Sequence, residues 1–472
     1  MFKKIVLDNY KSFKHVEIDL TGSEKNPLPY AFIYGENGSG KSNLIESVMF
    51  LKDSVRTINI MNRLRDITDN ASAKADLKSH ISKFIEGSSE RSPPDPNEVL
   101  EILKNLPDIV GMARSVRTVG SDKGVSVSYQ FFLNGHDGHY EMRFGEDDRL
   151  IYEKLSYVVE SRTKDIFEIG TSENNDASLK GDEIGQTFSP QLFKDKEYGR
   201  IISGLIQRYW GKHSFMSILD NEYFANNPQH MDKTVGTGIA DVIRYFNDLV
   251  VSYNFNDGNF GKGLKDRILS NLSVGTIKPN EKAKLSVYEE ALDSFFTRLY
   301  SDVKKVYYRT EPREGMLRYT LFFSKMIGGE RREIDIFSES AGTKRILGLF
   351  PAFFECARGK TVFYDELDSG IHDRLVKDMI SEIKGSFKGQ FIVTTHNTSL
   401  LEVIGPKNIF LILIDPRGEK RILPMNRIER TQKNHNNRDR YLNGVFGATP
   451  VTGYIDFDEI VQHATHRLGG GA

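Results

Sequence analysis

The stretch GENGSGKS, Gly35–Ser42, decides how this chain is read. It fits the phosphate-loop spacing G-x-x-x-x-G-K-[ST] without a mismatch. Gly35, Gly38 and Gly40 let the backbone wrap with its N–H groups turned inward, and the helix N-terminus after the loop adds positive potential. Lys41 is spaced to reach β- and γ-phosphates, and Ser42 to offer a hydroxyl to Mg²⁺. Asn37, Ser39 and Asn43 belong to the same nucleotide-binding set. The flanks are the required ones. YAFIYG (Tyr30–Gly35) reads as a short buried strand, and LIESVMFLKDSV (Leu44–Val55) has a helical pattern. A chance glycine-rich turn would not need either flank.

Three further stretches carry chemistry. TVFYDELD (Thr361–Asp368) is an apolar strand ending in acids. Asp365, at the strand's C-terminal end, suits a Mg²⁺ ligand acting through water. Glu366 comes next, points differently, and suits a general base that orients an attacking water. The bland alternative is a strand-end turn with solvated carboxylates. QFIVTTHN (Gln390–Asn397) is another buried strand, ending in His396. That imidazole could bond a γ-phosphate or the attacking water, or could be a capping or core histidine. SESAGTKR (Ser338–Arg345) reads locally as a helix start, with Ser338, Ser340 or Thr343 as cap before Ile346, Leu347, Leu349 and Phe350. Pro351 should kink or end that helix.

Composition sets the frame. The 472 residues allow roughly two to four domains. With 39% hydrophobic and 27% charged residues the chain can bury a sizeable core. Lys+Arg 64 nearly cancels Asp+Glu 65, so no global positive field draws in nucleic acid. One cysteine, Cys356, excludes an intramolecular disulfide framework and a Cys-rich zinc site. The opening MFKKIVLDNYKSF lacks the apolar core of a signal peptide, and no apolar run approaches the roughly 20 residues of a membrane helix. A cytoplasmic protein without a membrane partner is expected.

The pattern is α/β. KKIVLDNYKSFKHVEIDL reads as two strands around a break at Asn9–Lys11. VSVSYQFFLNGHDGHYEMRF alternates around an Asn-Gly and an Asp-Gly, a hairpin signal, and a second hairpin turns at Gly328-Gly329. Pro190 to about Tyr300 reads as mostly helical. The head is expected to comprise 1–52, 125–170 and 303–425, with helical insertions at 53–124 and 185–302 and an extension at 426–472. Within the first insertion, Arg56, Arg63, Arg65, Lys74, Lys78 and Lys83 read as a solvated basic face. His463 and His466 have i,i+3 spacing but no third ligand, and His372 reads as structural.

Phosphate loop, SESAGTKR, Asp-Glu strand, then His strand is the motif order of ABC-type ATPases, which the chain resembles. The resemblance implies an ABC-type head, a mixed sheet with a phosphate-loop core and antiparallel hairpins. It also implies ATP and Mg²⁺ as cofactors. ESAGT resembles the family's signature motif, with Ser340 and Gly342 at the matching serine and glycine, Ala341 for the usual glycine and Thr343 for Gln or Glu. The signature acts on the γ-phosphate held by another subunit, which implies a homodimer or larger assembly. Asp368 stands in the family's dimer-contact loop. DNYKSF resembles the opening of SMC-like and RecF-type ATPases, where Lys11 would contact nucleotide. The family's Mg²⁺-contacting glutamine has only Gln130 as a candidate, in mid-strand.

ESAGTKRILGLF, YDELDSGIH and VTTHNTSLL are similar to OLD-type and abortive-infection ATPases of anti-phage systems, and RDRYLNGVFGATP (Arg438–Pro450) to the end of the ATPase component of PARIS-type systems. This implies a sensor or scaffold that responds to a phage-derived trigger and controls a separate effector, a nuclease. Only about 75 residues follow His396, short of a typical catalytic domain. Asp456, Asp458 and Glu459 are the dense acidic group there, and an intrinsic nuclease built on them is the remote alternative. The nearer alternative is a DNA-repair ATPase of RecF/SMC type that binds DNA.

Overall fold

The computed structural model of the protein describes residues 1–62, 108–159, 161–171, 183–225, 234–236, 238–253, 264–429, 436–449, 453 and 455–469. Of the predicted basic face only Arg56 falls within them, and the proline-rich break Ser88–Glu98 lies outside.

The N-terminal half builds a seven-stranded antiparallel sheet. Strands β1 (Phe2–Tyr10) and β2 (Phe13–Asp19) form the expected first hairpin. The chain then enters β3 (Tyr30–Tyr34), the phosphate loop and α1 (Lys41–Ser54). After α2 (Ile109–Val116) come β4 (Ser126–Leu133), β5 (His136–Phe144), β6 (Leu150–Val159), β7 (Arg162–Thr171) and β8 (Ile184–Phe188). The order is β2-β1-β4-β5-β6-β7-β8. The β4–β5 turn is Asn134-Gly135, with φ 50° and 84°, the pair of positive angles a two-residue hairpin demands. Asp137-Gly138, expected at a turn, lies instead inside β5. Its glycine is needed because a Cβ there would stand 2.3 Å from the Phe131 ring.

Helices α3 (Lys196–Tyr209), α4 (Phe215–Ala225) and α5 (Ile239–Asp248) come next. The buried Glu153 of β6 anchors α4 by accepting from Phe215 N, Met216 N, Tyr140 Oη and Trp210 Nε1. Each of the two Glu153 carboxyl oxygens thus accepts two hydrogen bonds. Two strands then interrupt the region read as helical, β9 (Val250–Ser252) and β10 (Val274–Ile277), before α6 (Lys282–Leu299). A second antiparallel sheet joins β10 to β11 (Val303–Arg313), β12 (Met316–Ile327) and β13 (Glu330–Asp335). Its β12–β13 turn is Gly328-Gly329 as expected, with φ 61° and 83°.

The C-terminal half completes the central sheet. It contributes α7 (Ala341–Ala357), β14 (Thr361–Tyr364), α8 (Asp373–Ile383), β15 (Gln390–Thr394), β16 (Ile409–Ile414), β17 (Lys420–Pro424), α9 (Asn437–Leu442) and α10 (Phe457–Gly469). The strand order is β17-β16-β3-β15-β14-β9, parallel except for β17. Strands from both ends of the chain thus meet in one sheet. Each face has its own core, so the strands are buried on both sides and read as continuous apolar runs. Within β3, Ala31 and Ile33 face the core shared with the seven-stranded sheet, while Phe32 and Tyr34 face the core shared with α7. The buried Gln390 ties two sheets together. It accepts from Phe2 N and donates to the Phe2 and Leu28 carbonyls.

Pro351 does not end its helix. α7 runs through it to Ala357, because the residues around it, Ile346 to Cys356, are packed into the second core. Loss of one backbone bond is outweighed by that burial. His372 is structural as expected, its Nδ1 accepting from Arg374 N at the start of α8.

Candidate functional site

The parallel strands β3, β14 and β15 are neighbours, and their C-terminal ends deliver the phosphate loop, Asp365-Glu366 and His396 to one edge of the sheet. That edge is where parallel α/β sheets bind ligands.

The loop is held in shape by its glycines. Gly38 and Gly40 have φ 79° and 105°, left-handed values that side chains oppose. A Cβ on Gly40 would meet the Phe13 ring at 2.6 Å. Gly40 also begins α1 without a side-chain cap, so the helix's first N–H groups are left for a ligand. Lys41 is 6% exposed and donates to the Gly35 and Glu36 carbonyls at 2.9 Å each. Burial lowers its pKa, while Asp365, Glu366 and Asp368 oppose the shift. Ser39 Oγ is buried without a hydrogen-bond partner among the described residues.

Asp365 is buried and Glu366 exposed. One hydroxyl organises both: Thr394 Oγ1 donates to Asp365 Oδ1 at 2.5 Å and accepts from Glu366 N at 2.8 Å. Glu366 adopts φ 51°, a strained value for a non-glycine residue. Asp368 Oδ1 accepts from Thr395 Oγ1 at 2.6 Å and from His396 N at 3.2 Å, fixing the start of the histidine loop. Burial, then the Lys41 charge, lowers the His396 pKa, against the pull of the three carboxylates. The C-terminal segment braces this loop through Arg438 Nε, which donates to Thr398 Oγ1 at 3.2 Å.

Ser340 caps α7, its Oγ accepting from Thr343 N at 3.1 Å. Ser340 and Ala341 are exposed and Gly342 partly so. Towards the Asp-Glu loop of the same chain the helix offers other atoms. Arg345 donates to the Glu366 carbonyl at 2.9 Å, and a Cβ on Gly342 would stand 3.5 Å from the Gly370 carbonyl.

Lys11 lies in the β1–β2 turn, against the helix that the phosphate loop opens. It pairs with Glu46 of α1 at 2.6 Å. Gln130 lies on β4 with an exposed side chain. Its neighbour Tyr129 bonds the Ser47 carbonyl of α1, so strand alternation turns Gln130 to the opposite face, away from the phosphate-loop helix. The strand end beside Asp365 is that of β9, whose Ser252 carbonyl accepts from Asp365 N. Tyr253 is next in the chain, with its hydroxyl 3.4 Å from Glu46 Oε2. No sequence pattern marked β9, Thr394 or Tyr253.

The arrangement fits a magnesium nucleotide. Ser42 and Asp365 supply hard oxygen donors, and Mg²⁺ takes one or two protein oxygens with phosphate and water. No group of three or more His, Cys, Asp or Glu suited to a metal occurs among the described residues, Asp456, Asp458 and Glu459 included. His463 lies on the exposed α10; the His466 side chain is outside the described set. No described helix is long and apolar enough to cross a membrane.

A parallel sheet with a phosphate loop between its strand β3 and helix α1 defines a P-loop nucleotide-binding fold. Two family models match it. One, described as AAA domain, covers residues 4–210 and carries the phosphate loop. The other, described as AAA domain, putative AbiEii toxin, Type IV TA system, covers 238–402 and carries the signature, Asp-Glu and His stretches. Both matching families are described as AAA domains, and each covers less than half of the chain. No curated protein matches it. Similar solved structures are SMC heads. The SMC head domain from Thermotoga maritima is 15% identical, with 90% of this chain and 98% of that chain covered and a TM-score of 0.35. An Smc head with an extended coiled coil bound to the C-terminal domain of ScpA, derived from Pyrococcus furiosus, gives 14%, 89%, 95% and 0.37. An SmcHead bound to the C-winged helix domain of ScpA gives 16%, 89%, 96% and 0.40. The likeness is loose, and the fold assignment stands on the sheet order and the loop.

Proposed function

We propose that this protein hydrolyses ATP between two or more copies of itself, as the sensor and scaffold of a cytoplasmic anti-phage defence system that controls a separate effector, a nuclease. The observation that carries the ATPase reading is the convergence of Lys41, Asp365, Glu366 and His396 at adjacent strand ends, with Lys41 and His396 both feeling the same three carboxylates. Lys41 and the loop N–H groups bind the phosphates. Ser42 and Asp365 would hold Mg²⁺, which supplies charge neutralisation when bound. Glu366 takes a proton from water, and His396 bonds the γ-phosphate. Ser340 and Gly342, exposed on their own chain, serve the nucleotide of a second chain, with Asp368 near the contact.

The defence role is supported by the similarity of the signature and C-terminal stretches to abortive-infection and PARIS-type ATPases, and by the AbiEii description of the matching family. The test is co-purification with the products of neighbouring genes, with and without ATP, beside an ATPase assay. ATP-dependent retention of a nuclease and of phage-responsive activity is expected. Salt-sensitive DNA binding by the purified chain alone, with no such partner, overturns the defence reading in favour of a repair ATPase.

A further inference from the structure

Lys420 belongs to none of the motifs read from the sequence. It opens β17, the antiparallel edge of the central sheet, yet its ammonium reaches the phosphate loop. Nζ donates to the Gly38 carbonyl at 3.0 Å and to Ser12 Oγ at 2.7 Å, and it lies 5.5 Å from the centre of the Phe13 ring. Ser12 Oγ also accepts from Asn43 Nδ2 at 2.8 Å. The β1–β2 turn, the edge strand and the first turn of α1 thus meet through one hydroxyl.

The charge at this junction is unbalanced. Lys420 is partly buried, and burial lowers its pKa with no carboxylate acting against it. Its neighbour Glu419 bonds Lys14 instead, at 3.1 Å. Among the described residues no carboxylate pairs with the Lys420 ammonium. A partly desolvated cation held only by neutral oxygens and a ring, at the rim of an anion-binding loop, is stabilised by an arriving anion.

We propose that Lys420 is a second phosphate-binding cation of the site, serving the α-phosphate while Lys41 serves the β and γ end. This rests on the nucleotide reading above. A phosphate loop lays the chain of phosphates along itself, with its lysine at the β/γ end and backbone N–H groups around α and β. The Asn43–Ser12–Lys420 chain starts from Asn43, which follows Lys41 and Ser42 in the first turn of α1, and the proposal puts the α-phosphate on that side. On binding, the ammonium exchanges the Gly38 carbonyl for a phosphate oxygen.

The test uses the full chain with Lys420→Met, which keeps the stem against Phe13, and Lys420→Arg, which keeps the charge. Calorimetry gives the Kd for ATP and for ADP at two salt concentrations, with Lys41→Ala as control. Lys420→Met is expected to weaken ATP and ADP by the same factor, about tenfold, and to flatten the salt dependence, while Lys420→Arg retains most of the affinity. Unchanged affinities overturn the proposal. So does a loss confined to ATP, which would put the ammonium at the γ-phosphate. A loss with an unchanged salt slope also overturns it, showing a neutral clamp on the loop. If Lys41→Ala binds as tightly as the parent, the nucleotide reading itself fails, a result separable from any of these.

Discussion

The phosphate loop and the SESAGTKR stretch both end at the N-terminus of a long helix, yet they are finished differently. The loop is enclosed. Its lysine is 6% exposed and occupied by loop carbonyls, and its glycines are pressed by Phe13 and Ser39. It opens α1 uncapped, with N–H groups to spare. The signature stretch is open. Its cap is closed by Ser340, and Ser340 and Ala341 face outward. The first leaves backbone donors of its helix uncapped. The second has its local bonds satisfied and its first residues exposed.

The strongest way to break this contrast is at the loop. Lys41→Ala should lower ATP affinity by at least about a hundredfold, since it removes a charge-assisted contact at an enclosed site. Equilibrium binding measures it. Glu366→Gln should leave binding intact and cut turnover by about 10²–10⁴-fold, trapping a closed assembly visible by size-exclusion chromatography with ATP. Unchanged turnover would remove Glu366 from the role of base. Ser340→Arg should suppress turnover while the monomer binds ATP as before; if binding is lost instead, the signature acts within its own chain. Thr394→Val should slow turnover by about tenfold without changing the fold, because one hydroxyl holds both Asp365 and the Glu366 backbone.

The smallest effect is on pH. Burial and Lys41 hold the His396 pKa below its usual 6.5. Between that lowered value and 6.5 the unfolded chain binds more protons than the folded one. The contribution to stability is therefore present above 6.5 and is lost as pH falls through this window. Denaturant midpoints at pH 7.5 and 5.5 should differ less in His396→Gln than in the parent. Equal differences would mean that the ring titrates freely.

The chemically named residues were legible because each sits within a short motif whose flanks announce strand or helix. Tyr30–Tyr34, Thr361–Tyr364 and Gln390–Thr394 are apolar runs, and the polar residues after each run fall at a strand end. Features without such a motif depend on partners far along the chain. Val250–Ser252 is only three residues long and is a strand because β14 pairs with it. Gln130, already in mid-strand by its sequence pattern, is turned outward by the register of β4. Asp137-Gly138 reads as a turn in isolation, but the β4–β5 register and the Phe131 ring keep it in a strand.

By itself, then, the sequence determined the phosphate loop, the acidic strand end and the histidine strand end. Local stereochemistry dictates them: glycines that can take positive φ, apolar runs that must be buried, polar residues where a strand stops. Only the tertiary structure decided that these ends are neighbours, that Thr394 sets the angle between two acids, and that Lys420 returns from the far edge of the sheet to the loop. Those placements depend on which strands pair, and strand pairing is settled by burial on two faces at once rather than by any short stretch of residues.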